Sequence, residues 1–169
     1  MNKKIAQFMK CECEDNTPFH HIHATGSFGW RWMPDYVKEQ GVELEKHPLI
    51  TMQEYIYNMP ELMAAADVVI SRAGASTLNE IAAAGTPCII VPSPNVTNHH
   101  QEKNAAVLGE HGAALVLPEE GLDGKRLFTE AAALLRDETR LAAMHEASLR
   151  LGVRDATERI YETVMALVK

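Results

Sequence analysis

The chain is expected to fold as α/β, a Rossmann-like doubly wound parallel sheet of about five strands with helices on both faces. Three features carry this expectation. Extended and helical patterns alternate along the 169 residues. The extended segments, "DVVIS" and "PCIIVP" among them, are continuously apolar, as strands covered on both sides must be. Glycine, proline and polar residues collect where strands end, in "TGSFG", "QEYIYN", "SRAGAS", "PSPNVTNHH" and "PEEG". Ligands of such sheets sit beyond the carboxyl ends of the strands.

In chain order, "NKKIAQFMKCE" reads as a helix, with Ile5, Phe8 and Met9 on one face. "FHHIHAT" (19–25) is a strand that ends in the glycine-rich turn "TGSFG". "WMPDYVKEQG" is a helix closed by Gly41 as a left-handed cap. "HPLITM" (47–52) is a strand running into "QEYIYNMP", and "PELMAAA" a short helix with proline in its first turn. "DVVIS" is a strand and "ASTLNEIAAAG" a helix ending at Gly85. "PCIIVP" is a strand, "NHHQEKNAAVLGEHG" a helix opened by an Asn98–Gln101 capping box, and "AALVLP" a strand. "EEGLDGKR" reads as a solvated loop. Helices then start near Asp123, Asp137 and Asp155. The last, "DATERIYETVMALVK", opens with an Asp155–Glu158 capping box and sets Ala156, Ile160, Val164 and Leu167 on one face. No repeat, low-complexity segment or linker interrupts the chain, so residues 1–169 are expected to form one domain.

Composition excludes several classes of function. With 46% apolar residues the chain is not disordered, and a net charge of −7 lacks the basic face that nucleic-acid binding needs. No apolar run approaches the ~20 residues of a membrane span, and "MNKKIAQFMKCECED" has no signal-peptide core. Three cysteines, an odd count, read as reduced cytosolic thiols, with Cys88 a small core residue. Cys11 and Cys13 lie two apart on a helix and do not face each other. His21 and His23 share a strand face, beside His20, but no second pair has ligand spacing. No metal, no cofactor and no Ser-His-Asp arrangement is expected.

"SRAGASTLNEIAAAG" (71–85) is the most informative stretch. Small residues after the strand bring the backbone closely into a helix whose first amides lack internal partners and sit at the positive end of the dipole. Ala75, Ser76 and Thr77 are placed to offer those amides to a phosphate after Gly74. Glu80 lies roughly 5–8 Å further along the helix, where a ribose attached to that phosphate would lie, and a carboxylate suits a vicinal diol. Thr77 and Glu80 share a face, while Leu78, Ile81 and Ala82 point to the core. The residues alone also admit a plain tight turn at Gly74 with a solvated Glu80; the spacing is neither a Walker A nor a GxGxxG motif.

"ADVVISRAGASTLNEIAAAGTPCIIVPSPNVTNHHQEKNA" closely resembles the MurG family, which transfers N-acetylglucosamine from UDP-GlcNAc to lipid I, making lipid II of bacterial peptidoglycan. The resemblance runs from about Phe19 to Lys169 and covers the C-terminal, donor-binding half of a two-domain GT-B enzyme. It implies that the amides of Ala75, Ser76 and Thr77 hold the donor diphosphate and Glu80 the ribose hydroxyls. It implies that Ile56 reads the uracil edge through its backbone, with Tyr55 and Met59 lining the base pocket, although both also fit as core residues. His100 and Gln101 stand where the family places side chains on the sugar hydroxyls. Arg72 is a candidate for phosphate charge, and Asn104 is expected to fix the loop by backbone hydrogen bonds. "HATG" matches a strand-exit pattern of the family.

The same resemblance implies that the N-terminal domain, with the membrane-facing patch, the acceptor site and the general base, is absent. No catalytic residue is therefore assigned, and the fragment is expected to be inactive alone. The first strand of the donor half is also expected to be absent, so that the sheet either re-pairs its strands or self-associates with a second chain. The family's place is cytoplasmic, peripheral on the inner face of the membrane. Other readings are a diacylglycerol glucosyltransferase-like UDP-sugar transferase, a nucleotide-sugar-binding subunit that needs a partner chain, and a non-hydrolysing epimerase, whose carboxylates have no obvious counterparts here.

Overall fold

A computed structural model describes residues 1–15 and 19–168. The elements are α1 (Asn2–Asp15), β1 (His21–Ala24), α2 (Gly26–Trp30), α3 (Met33–Glu39), β2 (Ile50–Gln53), α4 (Met59–Ala65), β3 (Val69–Ser71) and α5 (Ala75–Ala84). They continue with β4 (Cys88–Ile90), α6 (His100–Glu110), β5 (Ala114–Val116), α7 (Gly124–Leu135), α8 (Glu138–Leu151) and α9 (Ala156–Leu167). The chain divides into two compact units, one of Met1–Met59 with Glu120–Arg136, the other of Pro60–Glu119 with Asp137–Lys169.

In the first unit β1 and β2 run parallel, His21 opposite Ile50 and Ala24 opposite Gln53. Helix α1 buries Ile5, Phe8 and Met9, the face its apolar spacing anticipates. Phe8 meets Phe128 of α7 edge to face, ring centroids 5.3 Å apart, an arrangement worth about 1 kcal/mol beyond the area it buries. Two polar ties bind the same helices: the Lys4 ammonium donates to the Leu122 carbonyl, and Gly124 N–H donates to Gln7 Oε1 at 3.0 Å. "TGSFG" is not a simple turn. Gly26 takes φ +72°, a value glycine alone adopts without strain, and α2 starts there.

In the second unit β3, β4 and β5 form a parallel sheet in that order, with Val69 opposite Cys88 and Cys88 opposite Ala114. Strand β4 is central and wholly buried. Helix α5 buries Leu78, Ile81 and Ala82, as its pattern anticipates, and packs on α8. It ends at Gly85, whose φ of +75° makes the left-handed cap; His145 Nδ1 then donates to the Gly85 carbonyl at 2.6 Å. Cys88 is fully buried, and burial pushes its thiol up to about 12.

Parallel pairing of the five strands is as expected, but they stand in two sheets. Among the described residues β1 pairs with β2 alone and β3 with β4 alone, so no re-pairing joins them. Strands paired on one side are half-buried rather than buried, as β1 and β3 are. Two expected caps also differ. Asn98 adopts φ +56° and His99 φ +50°, so His99 takes the cap position of α6, with no side-chain cap bond; the Asn98–Gln101 box is not made. Asp155 binds Arg159 at 2.9 Å instead of capping α9. Asp123 and Asp137 do cap, accepting from Arg126 N–H at 2.7 Å and Arg140 N–H at 2.9 Å. "EEGLDGKR" is thus only partly a solvated loop: Leu122 is buried and Asp123 starts α7. Lys169, at the end of the last expected helix, lies outside the described residues. No helix among those described is long and apolar enough to cross a membrane.

Candidate functional site

The second unit gathers most of the expected residues where β3 and β4 end. After Ser71 the chain runs through Arg72, Ala73 and Gly74 into α5. The first backbone bond at this end of the helix runs from Leu78 N–H to the Gly74 carbonyl at 3.0 Å. The amides of Ala75, Ser76 and Thr77 precede it and receive no side-chain cap, so they are the donors a helix start leaves for other partners. Ala75 and Ser76 are exposed, as is Glu80. Thr77 shares the outward side with Glu80, and the core-facing residues lie opposite.

Gly74 has φ −70° and ψ 135°, ordinary extended backbone. Its turn does not demand glycine. A Cβ built on it meets only Thr77 Oγ1, at 3.8 Å, so glycine leaves open space in front of the helix start.

Arg72 is not a free cation. Its Nη1 donates to Glu119 Oε2 at 2.7 Å and to the Val91 carbonyl at 3.1 Å, and its Nη2 donates to Glu119 Oε1 at 2.8 Å. This bidentate fork ties the end of β3 to the segment after β5. Glu119 is a residue that sequence reasoning missed beyond placing "PEEG" at a strand end. Gln101 Oε1 accepts from Ser93 N–H at 2.9 Å and Ala73 N–H at 3.3 Å. Asn104 Nδ2 donates to the Ala73 carbonyl at 3.1 Å, the loop-fixing bond expected of it. His100 is exposed at the first position of α6. His99, next to it, faces Glu102 at 3.3 Å.

The remaining expected residues belong to the first unit. Tyr55 is 62% exposed and meets the Tyr57 ring at 5.1 Å, so it is no core residue; Ile56 is buried and Met59 half-buried. His21 Nδ1 lies 2.8 Å from Oε2 of the buried Glu12. His23 Nε2 is buried with no hydrogen-bond partner among the described residues. Burial, then the neighbouring His21 and the N-terminal ammonium, push His23 down to about 4.

The model of the glycosyltransferase family 28 C-terminal domain matches residues 1–160. The UDP-N-acetylglucosamine--N-acetylmuramyl-(pentapeptide) pyrophosphoryl-undecaprenol N-acetylglucosamine transferase of Acetivibrio thermocellus is 38% identical over 169 residues, all of this chain and 44% of that protein. Its namesake in Halalkalibacterium halodurans is 38% identical over 152 residues, 90% of this chain and 41% of the relative. The chain thus spans less than half the length of the curated relatives it matches. Among solved structures, MurG of Acinetobacter baumannii superposes with a TM-score of 0.75 at 23% identity, over 98% of this chain and 45% of that one. The glycotransferase of kitacinnamycin gives 0.63 at 18% identity, over 96% and 40%. At those identities the structures speak for the fold, which is theirs. The chain belongs to the family of glycosyltransferase family 28 C-terminal domains.

Proposed function

We propose that residues 1–169 form the donor-binding half of an inverting N-acetylglucosaminyltransferase that carries GlcNAc from UDP-GlcNAc to lipid I, on the cytoplasmic face of the membrane. The observation that carries this reading is the start of α5: three amides without intrahelical partners, open space at Gly74, and an exposed carboxylate one turn on. Identity of 38% along the whole chain to one N-acetylglucosamine transferase, and along 90% of it to another, supports it. In this reading the amides of Ala75, Ser76 and Thr77 take the diphosphate and Glu80 takes the ribose diol. Gln101 donates to the sugar through Nε2, since its carbonyl oxygen already serves two backbone amides, and His100 stands beside it. The base-binding roles of Ile56, Tyr55 and Met59 rest on the resemblance.

The chemistry is a displacement at the anomeric carbon. An acceptor hydroxyl gives its proton to a base and forms the new C–O bond from the face opposite the diphosphate, and the bond to UDP breaks with its electron pair. The amide dipoles at the start of α5 stabilise the negative charge that gathers on UDP. The base and the acceptor site lie in the further domain, so the chain alone turns over no lipid I.

Calorimetry with UDP-GlcNAc tests the site. Glu80→Ala is expected to lose about 1.5–3 kcal/mol of binding, and an unchanged affinity removes Glu80 from it. Gly74→Ala is expected to keep or slightly raise stability, because its backbone angles suit alanine, while UDP affinity drops about tenfold or more as the methyl fills the space before the amides. Competition among UDP-GlcNAc, UDP-glucose and UDP-galactose separates this reading from a diacylglycerol glucosyltransferase-like enzyme. The strands paired on one side, β1 and β3, support self-association through the open edges. A mass of one chain by light scattering at high protein concentration would refute that part.

A further inference from the structure

Past their last ladder bonds, the strands of the β3–β5 sheet are bridged by a side chain. Val91 N–H donates to the Ser71 carbonyl and Leu117 N–H to the Ile90 carbonyl, each at 2.9 Å. In a parallel ladder the Val91 carbonyl would next accept from Ala73 N–H. That N–H donates to Gln101 Oε1 at 3.3 Å, and Arg72 Nη1 donates to Val91 in its stead at 3.1 Å. The same guanidinium makes its fork on Glu119 at 2.7 and 2.8 Å. Arg72 follows β3, Val91 follows β4 and Glu119 lies beyond β5, so one ion pair spans all three carboxyl ends.

The candidate site begins at these ends. The amides of Ala75, Ser76 and Thr77 stand on the chain leaving β3, and His100 and Gln101 on the chain leaving β4. Strand ends open more readily than strand centres, and a site built on two of them keeps its spacing only while they are tied. Arginine suits the tie because its planar fork meets two carboxylate oxygens at once, which the point charge of lysine does not. The guanidinium is also balanced in charge. Its partner carboxylate is 19% exposed and its own side chain 30%, and a cation so paired draws a phosphate less strongly.

We propose that Glu119 is a positioning residue for the donor site, and that Arg72, through which it acts, is a strut rather than a ligand of the phosphates. Neither side chain touches the nucleotide. The clasp holds the β3 and β4 exits at the spacing in which the α5 amides meet a diphosphate, so less freedom is lost when one binds. This rests on the reading of the α5 start as a diphosphate seat.

The test measures UDP affinity by calorimetry and amide exchange by NMR, at a temperature where circular dichroism shows each protein folded. Wild type is compared with Glu119→Ala, which removes the tie, Glu119→Gln, which keeps one acceptor oxygen, and Arg72→Lys, which keeps the charge without the fork. The last two carry the test should the alanine variant not fold. UDP affinity is expected to fall about tenfold in Glu119→Ala and Arg72→Lys, and no more than about threefold in Glu119→Gln. Without ligand, exchange is expected to quicken at Val91 and Leu117, the strand-end amides, and to stay unchanged at the buried Ile89 in the strand centre. Tighter UDP binding in Glu119→Ala would mean that Glu119 withholds Arg72 from the phosphates, and would overturn the proposal. Unchanged affinity in both Glu119→Ala and Arg72→Lys would overturn it too. So would exchange that quickens at Ile89 as much as at the ends, the mark of a residue that only stabilises the sheet. Wild type that binds no UDP overturns the diphosphate reading and this role with it; wild type that binds, with any of the three outcomes just named, overturns the role of Glu119 alone.

Discussion

Between neutrality and about pH 4 the protein is expected to lose about 3 kcal/mol of folding stability through His23 alone. The ring is held neutral because its Nε2 is buried without a partner among the described residues and because His21 stands next to it, with ring centroids 6.2 Å apart. Its folded pKa is about 4 against 6.5 for a free histidine. Between those values the unfolded chain binds a proton that the folded chain refuses. Stability therefore rises with pH through this window, is complete above it, and falls on acidification. Urea unfolding of wild type and His23→Leu across the window measures the effect. The stability of wild type should drop against that of the variant by about 3 kcal/mol; parallel pH profiles would show that His23 is solvated or donates to an acceptor that stabilises its charged form.

Gly124→Ala is expected to destabilise the first unit by about 3 kcal/mol, the upper end of ordinary overpacking. Gly124 opens α7 directly on α1. A Cβ there would run into the Lys4 carbonyl and the Gln7 Cβ, and would lie 2.7 Å from the Phe8 N. Two of these three are backbone atoms and cannot swing aside. The helices would have to part, stretching the Gly124–Gln7 hydrogen bond and the Phe8–Phe128 contact. Denaturant titration with near-ultraviolet circular dichroism as the probe reads both effects. A midpoint equal to that of wild type would mean that α1 and α7 pack less closely than this.

The order of the elements is legible in the sequence because it depends on local terms. Ile5, Phe8 and Met9 recur at helical spacing, Gly85 stops α5, and Asp123 and Asp137 begin helices. Strand partners are another matter. "HIHA" and "VIS" show an extended run but not which neighbour satisfies its second edge, so one sheet could not be told from two. The start of α5 is legible down to the residues because glycine, small side chains and a carboxylate fall within less than two helical turns of one another. Arg72 shows the limit. A charge near a helix start invites a ligand role, yet its carboxylate partner is 47 residues away and reaches it only through the fold. The cap of α6 fails for a local reason. Asn98 is a good capping residue in extended backbone, but it lies in the left-handed region together with His99, and Gln101 is already bound to Ser93 and Ala73.

Helix α9 turns every described residue to solvent, its apolar stripe included, with Ile160 at 65% and Leu167 at 82% exposure. Twelve residues with no tertiary burial sit at the edge of what a helix in water can sustain. Its winding then leans on small local forces such as the exposed Asp155–Arg159 pair, which salt weakens. This segment should be the earliest to melt on warming and the easiest for a protease to trim, with the rest of the molecule left folded.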